Sequence, residues 1–299
     1  MKAIAQSEYG SPDVLGIKEV SKPEMRDDKV LVKVHAASVH AGDWHLMRGT
    51  PFLIRLLFGG LLKPKIKILG TDMAGTVEAV GKEITQFQPG DEVFGELSSC
   101  GFGAFAEYVS VPEKVLAKKP NNLNFEAAAT VPVSGMSALQ ALRDFDEIKA
   151  GQRVLINGAS GGVGSYAVQI AKALGAEVTG VCSTQKMAFV RSLGADNVLD
   201  YTQTDCTQTA QPYDLIVDTA AYRSAKDFMS ALTPDGIYVL VGGDTGRLLQ
   251  VMLFGEWMGG KGDRQIKCLE QQSSQADLQV LTELIEAGKI TPAVERCYG

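Results

Sequence analysis

The sequence predicts an α/β protein in which a β-rich domain precedes a doubly wound parallel sheet. Two observations lead to this fold class. Residues 1–120 contain short alternating or β-branched strands separated by turns. From residue 125 onward, short apolar runs alternate with helical patterns, as in parallel sheets that are covered by helices. We therefore expect the strand order 3-2-1-4-5-6 in the second half.

The strands of the first half are indicated by alternation and by β-branched residues. They are expected at 29–34, 76–80, 105–111 and 115–117, and Pro89-Gly90-Asp91 marks a turn between them. Such strands would form a compact, partly open barrel. A polar, turn-forming stretch at 120–122 is the expected domain boundary, and Asn124 resembles the N-cap of a helix that follows.

The second half contains a strand–turn–helix–strand pattern at 153–182. Residues 153–157 form an apolar run that suits a strand buried on both faces. A helical apolar spacing runs from Val163 to Leu174, Gly175 ends it, and a second strand is expected at 177–182. This is a βαβ unit, a connection that is almost always right-handed.

The turn of this βαβ unit matches a dinucleotide-binding pattern. Ala159, Gly161 and Gly164 occupy the three positions of G-x-G-x-x-G, while Gly162 and Val163 lie between them. The second position requires glycine so that the backbone can contact a pyrophosphate, and the third lets helix and strand pack closely. The phosphates would then bind the N–H groups at the start of the helix. The alternative is a glycine-rich turn that binds nothing.

The end of the second strand bears on the choice between NADPH and NADH. An NAD site places Asp or Glu here, but the sequence has Cys182-Ser183-Thr184 followed by Lys186. Two hydroxyls and a cation suit a ribose 2′-phosphate, so NADPH is the expected cofactor. The compatible alternative is that Ser183 or Thr184 caps a helix and that Lys186 is solvated.

The remaining elements continue the alternation. Thr219 and Gly242-Gly243 should lie with Ala159 in the ligand crevice, at the carboxyl ends of the strands. The apolar patch 248–257 has no clear period and suggests either a lid or a packed loop. Further helices are expected at 134–145, 185–193 and 275–287, and further strands at 197–199, 215–217 and 237–241.

Composition excludes several classes of protein. The chain has 299 residues and a net charge of −6, which argues against nucleic acid as a partner. Five scattered cysteines without a C-x-x-C pair indicate a reducing compartment. The first residues lack the apolar core of a signal peptide, and the longest apolar segment, 52–62, is too short to span a bilayer. We therefore expect a cytoplasmic protein.

Motifs along nearly the whole chain resemble the quinone oxidoreductase (zeta-crystallin-like) branch of the medium-chain dehydrogenase/reductase superfamily. They include YGSPDVLGIKEV, KVLVKVHAASV, LGTDMAGTVEAVG, PGDEVFG, FAEYVSVP, VLINGASGGVGSYAVQIAKALGAEVTGVCST, YDLIVDTA and LIEAGKITP. The resemblance implies a GroES-like barrel domain at 1–122, a Rossmann domain that binds NADPH at 123–269, and a return to the first domain at 270–299. It also implies a homodimer, and a further helix and strand beyond the position of Gly299.

This resemblance implies hydride transfer from NADPH to an apolar quinone or an α,β-unsaturated carbonyl. A non-enzymatic NADPH-binding protein with a structural or sensory role is the alternative. A zinc alcohol dehydrogenase is a third hypothesis, but members of that class carry Cys at the position of His40, His-Glu at Thr71-Asp72, and Cys near Val133. Since catalytic zinc requires about three protein ligands, we expect no metal.

The resemblance also suggests individual site residues. His40 is the candidate catalytic residue that would face the nicotinamide, with Asp43 to orient it, although a structural role for both is an equal alternative. Tyr201 matches a tyrosine near the adenosine phosphate, or it packs beside the third strand. Ser137 matches a hydroxyl near the nicotinamide ribose, or it caps a helix. Val241 and Gly242, after a strand of the sheet, are expected to contact the cofactor.

The apolar insert at 51–69 is the last feature that the sequence singles out. Burial of Phe52, Leu53, Leu57 and Phe58 would stabilise the fold by about 1.5 to 3 kcal/mol each, so we expect them to pack, with 248–257 as partner. Such packing would form an apolar entrance for hydrophobic substrates, while Lys63, Lys65 and Lys67 would contact anionic lipid weakly. The equal alternative is a plain core hairpin or a dimer contact.

Overall fold

A computed structural model describes residues 1–58, 60–145, 148–208, 210–258 and 263–299, with backbone alone at 256–258. The chain divides into two compact units. The first unit contains Met1–Val133, Ser273–Glu286 and Pro292–Gly299, and the second contains Ser134–Gln272 and Ala287–Thr291.

Antiparallel strands build the first unit. Strands β1 (Lys2–Ala5) and β2 (Gly16–Glu19) pair with each other. The five-stranded sheet contains β3 (Val30–Ala37), β4 (Asp72–Val80), β5 (Glu92–Glu96), β6 (Tyr108–Val111) and β7 (Leu116–Lys118), in the order β6-β3-β4-β5-β7. Valine and leucine side chains that alternate inward form its core, so the predicted barrel strands are confirmed.

Short helices occupy the connections of the first unit. Helix α1 (Ala41–Arg48) follows β3, α2 (Phe52–Leu57) follows α1, and α3 (Phe125–Ala129) packs against β3 and β4. Asn124 caps α3 as predicted, since its side chain accepts a hydrogen bond from the Ala127 backbone at 2.9 Å. The first unit thus includes a helix that follows the boundary expected at 120–122.

The prediction that the apolar residues of 51–69 would be buried is wrong. Phe52 is 63% exposed and Leu57 69% exposed, and Leu53 and Phe58 are exposed as well. The reason is the short helix α2, which turns its opposite face inward. Ile54 packs against a small core cluster, and the Arg55 guanidinium donates to the Gly49 carbonyl at 2.9 Å.

A six-stranded parallel sheet forms the second unit. Its strands are β8 (Arg153–Asn157), β9 (Glu177–Cys182), β10 (Asn197–Asp200), β11 (Tyr213–Asp218), β12 (Leu232–Leu240) and β13 (Gln265–Cys268), ordered β10-β9-β8-β11-β12-β13. This is the predicted order 3-2-1-4-5-6. The register aligns Asn157 with Asp218, and Asp218 with Leu240, so these strands end together at one edge.

The helices of this part of the chain are α4 (Pro132–Arg143), α5 (Gly162–Ala173), α6 (Met187–Ser192), α7 (Ala225–Phe228) and α8 (Thr245–Met258), and the last four pack against strands of this sheet. Helix α8 corrects the expectation of a lid or loop at 248–257. Val251 and Gly255 are buried on α8, whereas Leu249, Met252, Leu253 and Phe254 are exposed. Because α8 has apolar residues on both faces, its sequence shows no helical period of apolar residues, and the helix could not be predicted from that pattern.

The chain then returns to the first unit through α9 (Gln275–Glu286), whose Leu278, Leu281 and Ile285 are buried as their spacing predicts. Gly288 follows with a left-handed backbone, φ 67°. Among the described residues, no helix is both long and apolar enough to cross a bilayer.

Candidate functional site

The glycine turn between β8 and α5 has the geometry that dinucleotide binding requires. Gly161 is the N-cap of α5 and provides no side chain to cap the helix. A Cβ on Gly161 would meet only the Gly158 carbonyl, at 3.3 Å, so the space in front of the helix is open. A Cβ on Gly164 would lie 2.1 Å from that same carbonyl. Gly164, at the third motif position, is therefore required by packing, and Gly161, at the second, leaves room for a phosphate group.

Residues after β11 and β12 lie beside this turn, as predicted. The Thr219 hydroxyl donates to the Asn157 carbonyl at 2.9 Å, and a Cβ on Gly242 would lie 3.8 Å from the Thr219 carbonyl. The Val241 backbone donates to the Asp218 carbonyl at 2.9 Å. Ala159, Thr219, Val241 and Gly242 thus share one edge of the sheet.

Asp218 fixes this edge, and sequence reasoning missed it. Its buried carboxylate accepts hydrogen bonds from the Asn157 amide at 2.8 Å, the Tyr238 hydroxyl at 2.7 Å, and the backbones of Ala220 and Ala221 at 3.0 and 2.8 Å. Burial raises the pKa of Tyr238, and the neighbouring Asp218 charge raises it further. A buried carboxylate with four donors holds the ends of β8, β11 and β12 together.

The ends of β9 and β10 form a polar cluster that includes an acid. Asp200, the last residue of β10, lies in register with Cys182, the last residue of β9. The Thr184 hydroxyl donates to Asp200 Oδ2, and the Thr202 hydroxyl and backbone donate to Asp200 Oδ1 at 2.8 and 2.9 Å. The hydrogen bond from Thr184 lowers the pKa of Asp200, and those from Thr202 lower it further.

This cluster corrects part of the sequence interpretation. Thr184 was expected to offer its hydroxyl hydrogen to a 2′-phosphate, but that hydrogen is given to Asp200. Ser183 is the N-cap of a 3₁₀ turn, Thr184–Lys186, without a side-chain capping bond. Lys186 is exposed at the end of that turn.

Two other predicted cofactor residues have definite positions within the second unit. Tyr201 directly follows β10 and is 55% exposed, and its backbone donates to the Cys182 carbonyl at 3.1 Å. Ser137 lies within α4 and is buried, so the alternative that it caps a helix is wrong.

His40 and Asp43 form a reciprocal pair at the start of α1. His40 Nδ1 accepts from the Gly42 backbone at 3.0 Å, and Asp43 accepts from the His40 backbone at 3.0 Å. Because Nδ1 is an acceptor, neutral His40 carries its proton on Nε2. That atom is buried and lies 3.6 Å from Asp43 Oδ2. Asp43 therefore completes the capping box of α1, and its carboxylate lies beside the imidazole without a hydrogen bond to it.

Two more buried acids lie in this part of the first unit. Burial raises the pKa of Asp72 well above its usual range, the Val133 backbone hydrogen bond opposes this, and the charges of Glu96 and Asp43 add to it. Burial also raises the pKa of Asp43, against the effect of His40. Glu96 is fully buried, and its Oε2 atom lacks a hydrogen-bond partner among the described residues.

The residues at the positions of the zinc ligands do not fit a zinc site. The Thr71 hydroxyl donates to Asp43 at 3.4 Å, and Val133 contributes only a backbone N–H, which donates to Asp72 at 3.1 Å. His40 and Asp72 would be too few as protein ligands. Within the described ranges, three or more His, Cys, Asp or Glu side chains nowhere converge as a metal site requires.

A GroES-like antiparallel unit, together with a doubly wound sheet that carries a glycine turn, defines the class of medium-chain dehydrogenases. Family models agree with this class. The Alcohol dehydrogenase GroES-like domain matches residues 26–121, and the model described as Zinc-binding dehydrogenase matches residues 162–261.

Known proteins narrow the class to a family. A chloroplastic quinone-oxidoreductase homolog of Spinacia oleracea is 38% identical over 74% of this chain and 68% of its own length. A chloroplastic NADPH-dependent alkenal/one oxidoreductase of Arabidopsis thaliana is 36% identical over 73% of this chain and 57% of its own. The Escherichia coli quinone oxidoreductase complexed with NADPH superposes with a TM-score of 0.81 at 25% identity, covering 98% of this chain and 90% of that one. The chain belongs to the quinone oxidoreductase branch of the medium-chain dehydrogenase/reductase superfamily.

Proposed function

We propose that this protein is an NADPH-dependent reductase of quinones or α,β-unsaturated carbonyl compounds. The observation that carries the proposal is the uncapped start of α5 behind Gly161, where the backbone leaves room for a pyrophosphate. The related quinone and alkenal/one oxidoreductases, one of them seen with NADPH, support both the cofactor and the substrate class.

The roles of the chain's own residues follow from their chemistry. NADPH, when bound, supplies a hydride. Gly161, Gly162, Val163 and Gly164 would hold the pyrophosphate on backbone N–H groups. Lys186 and Ser183 would bind the 2′-phosphate, while Ser137, Tyr201, Val241 and Gly242 would position the rest of the cofactor.

His40 would stabilise the charge that develops during the reduction. An enone gains the hydride at its β-carbon, and the Nε2–H of neutral His40 would donate a hydrogen bond to the enolate oxygen, while water supplies the proton at the α-carbon. His40→Ala should therefore lower the turnover of an enone about 100-fold and leave the dissociation constant of NADPH unchanged. Turnover equal to that of the wild type would assign His40 a purely structural role.

Steady-state oxidation of NADPH and of NADH, measured with a panel of quinones and enals, tests the activity. Turnover with NADPH supports the reductase. Tight binding of NADPH, seen by fluorescence titration, without turnover of any member of the panel would instead favour a non-enzymatic NADPH-binding protein.

We further propose that the substrate is apolar and that α2 contributes to its selection. Phe52, Leu56 and Leu57 are exposed on one face of α2, and such a surface favours hydrophobic ligands. Leu57→Ser combined with Phe58→Ser should lower activity on long-chain substrates and spare short ones. An equal loss on both, with an unchanged melting temperature, would contradict this role.

The same segment supports a weak contact with anionic membrane surfaces. Leu61 and Leu62 are exposed as well, and Lys63, Lys65 and Lys67 follow with exposed side chains. Each lysine near an anionic surface contributes about 1 kcal/mol.

A cytoplasmic homodimer completes the proposal. All five cysteines are free in the structure, as in a reducing compartment. Sedimentation equilibrium would measure the oligomeric state, and a monomer at micromolar concentration would contradict the dimer.

A further inference from the structure

The polar cluster at the ends of β9 and β10 places a carboxylate where cofactor choice is decided. Asp200 is 7% exposed, and each of its two oxygens accepts a threonine hydroxyl. The hydroxyls belong to Thr184 and Thr202, which are exposed and lie 3.5 Å apart, oxygen to oxygen. The cluster therefore presents threonine oxygens at the surface, with a carboxylate behind them.

The direction of the hydrogen bonds decides what this surface can bind. A threonine hydroxyl has one hydrogen, and both hydrogens are given to Asp200. What remains for a ligand is lone pairs, which accept hydrogen bonds. A ribose 2′-hydroxyl can donate to them. A 2′-phosphate near pH 7 carries almost no hydrogen to donate and is repelled by the carboxylate.

We propose that Asp200 limits the preference for NADPH and lets this protein use NADH as well. The inference rests on the proposed function, because it assigns a role in cofactor binding at that same site. Asp200 acts as a specificity residue through Thr184. Lys186, exposed on the 3₁₀ turn that begins with Thr184, acts in the opposite direction by attracting the 2′-phosphate. Cofactor choice is thus the balance of one cation against one carboxylate.

The test is the variant Asp200→Asn, which keeps the size of the side chain and an acceptor oxygen for one threonine, turns the other oxygen into an N–H donor, and removes the charge. Fluorescence titration should show NADPH binding about fivefold tighter in this variant, since a repulsive charge is gone. NADH binding should stay within about twofold of the wild type, because an uncharged 2′-hydroxyl carries no charge for Asp200 to repel.

Asp205→Asn is the matched control. Asp205 accepts the Thr207 hydroxyl at 2.7 Å and the Thr207 backbone at 2.9 Å, in the same Asp-x-Thr turn that Asp200 forms with Thr202. Its other oxygen accepts from Arg223 at 3.1 Å rather than from Thr184. Removing this charge should leave the ratio of the two dissociation constants unchanged.

The variant Lys186→Ala should shift the cofactor preference in the opposite direction, toward NADH. It should weaken NADPH binding by roughly 5- to 150-fold and leave NADH nearly unchanged, the loss expected for a hydrogen bond to a charged group. Asp200→Asn in that background should recover part of the loss.

Two results would overturn the inference: an unchanged ratio of the two dissociation constants in Asp200→Asn, or the same shift of that ratio in Asp205→Asn. These results differ from the result expected if the proposed function is wrong. If it is wrong, the wild type would bind neither NADPH nor NADH in the titration, and the inference about Asp200 would be rejected as well.

Discussion

Burial of the Asp72 carboxyl group makes the stability of the first unit depend on pH. Burial raises its folded-state pKa above the unfolded value of about 3.9. A raised acid pKa means that the folded chain holds the proton more tightly. The contribution of the Asp72 carboxyl group to the free energy of unfolding is therefore fully present below the unfolded pKa. It is lost as the pH rises through the folded pKa.

Asp72→Asn should accordingly stabilise the protein at pH 8 by about 1 kcal/mol and have little effect at pH 4. The amide oxygen can still accept from the Val133 backbone, and the amide nitrogen can donate to Ser38. Urea unfolding across this pH range measures the change. Asp235→Asn, at an exposed position of β12, is the control and should be neutral at each pH. A wild-type stability that rises from pH 4 to pH 8, together with destabilisation in Asp72→Asn, would contradict the argument.

At the level of elements, two glycines of the turn before α5 have different roles: Gly161 leaves space for the cofactor, and Gly164 allows close packing. Gly161→Ala should fold normally, because its Cβ meets one carbonyl at 3.3 Å and its backbone is extended. The added methyl group would occupy phosphate space and weaken NADPH binding by about 1.5 to 3 kcal/mol. Isothermal titration and thermal melting measure the two effects separately.

Gly164→Ala is the comparison variant. Its Cβ would lie 2.1 Å from the Gly158 carbonyl, so overpacking should destabilise the fold by about 1 to 3 kcal/mol. Equal destabilisation by both variants, with cofactor affinity intact in Gly161→Ala, would mean that the turn serves packing only.

The segment 51–69, which contains α2 and three exposed lysines, leads to a prediction about lipid. Replacing Lys63, Lys65 and Lys67 together with Gln should reduce binding to vesicles of anionic lipid by about 3 kcal/mol. The control removes three exposed lysines elsewhere, Lys18, Lys226 and Lys289. Cosedimentation with anionic and with neutral vesicles is the measurement. Binding that is equal in both triple variants, or absent in the wild type, would reject the membrane contact.

Local patterns predicted some elements, while others depended on the tertiary environment. The βαβ unit at 153–182 followed from a glycine turn and two regular periods, all local signals. Helix α8 has apolar residues on both faces and therefore no period. Helix α2 was hidden because exposed leucines resemble a core segment. Burial is a property of the fold, so composition alone could not separate these cases.

The candidate site, too, could be predicted from the sequence only where its residues are neighbours in the chain. The glycines of the turn were identified because their role depends on adjacent residues. Asp200 and Thr184 are sixteen residues apart in sequence, and only the parallel register of β9 and β10 brings them together. The Asp-x-Thr pattern at 200–202 was a weak local signal, but nothing in it indicates Thr184 as a partner.

At the scale of the whole molecule, each unit has a hydrophobic core of its own. Val32, Val77 and Leu116 belong to the core of the first unit, and Leu155, Ile216 and Phe228 to that of the second. A unit with its own core can unfold separately. The cofactor-binding residues proposed above all belong to the second unit.

NADPH should therefore protect the two units unequally. At about one hundred times its dissociation constant, it adds about 2.7 kcal/mol to the unfolding free energy of the unit that binds it. Hydrogen exchange should slow in β8 and β9 and stay unchanged in β3 and β4. Gly161→Ala, measured at the same NADPH concentration, should show a much smaller gain. Equal protection of all four strands would show that the chain unfolds as one cooperative body, because a ligand that binds any part of such a body stabilises every part of it equally.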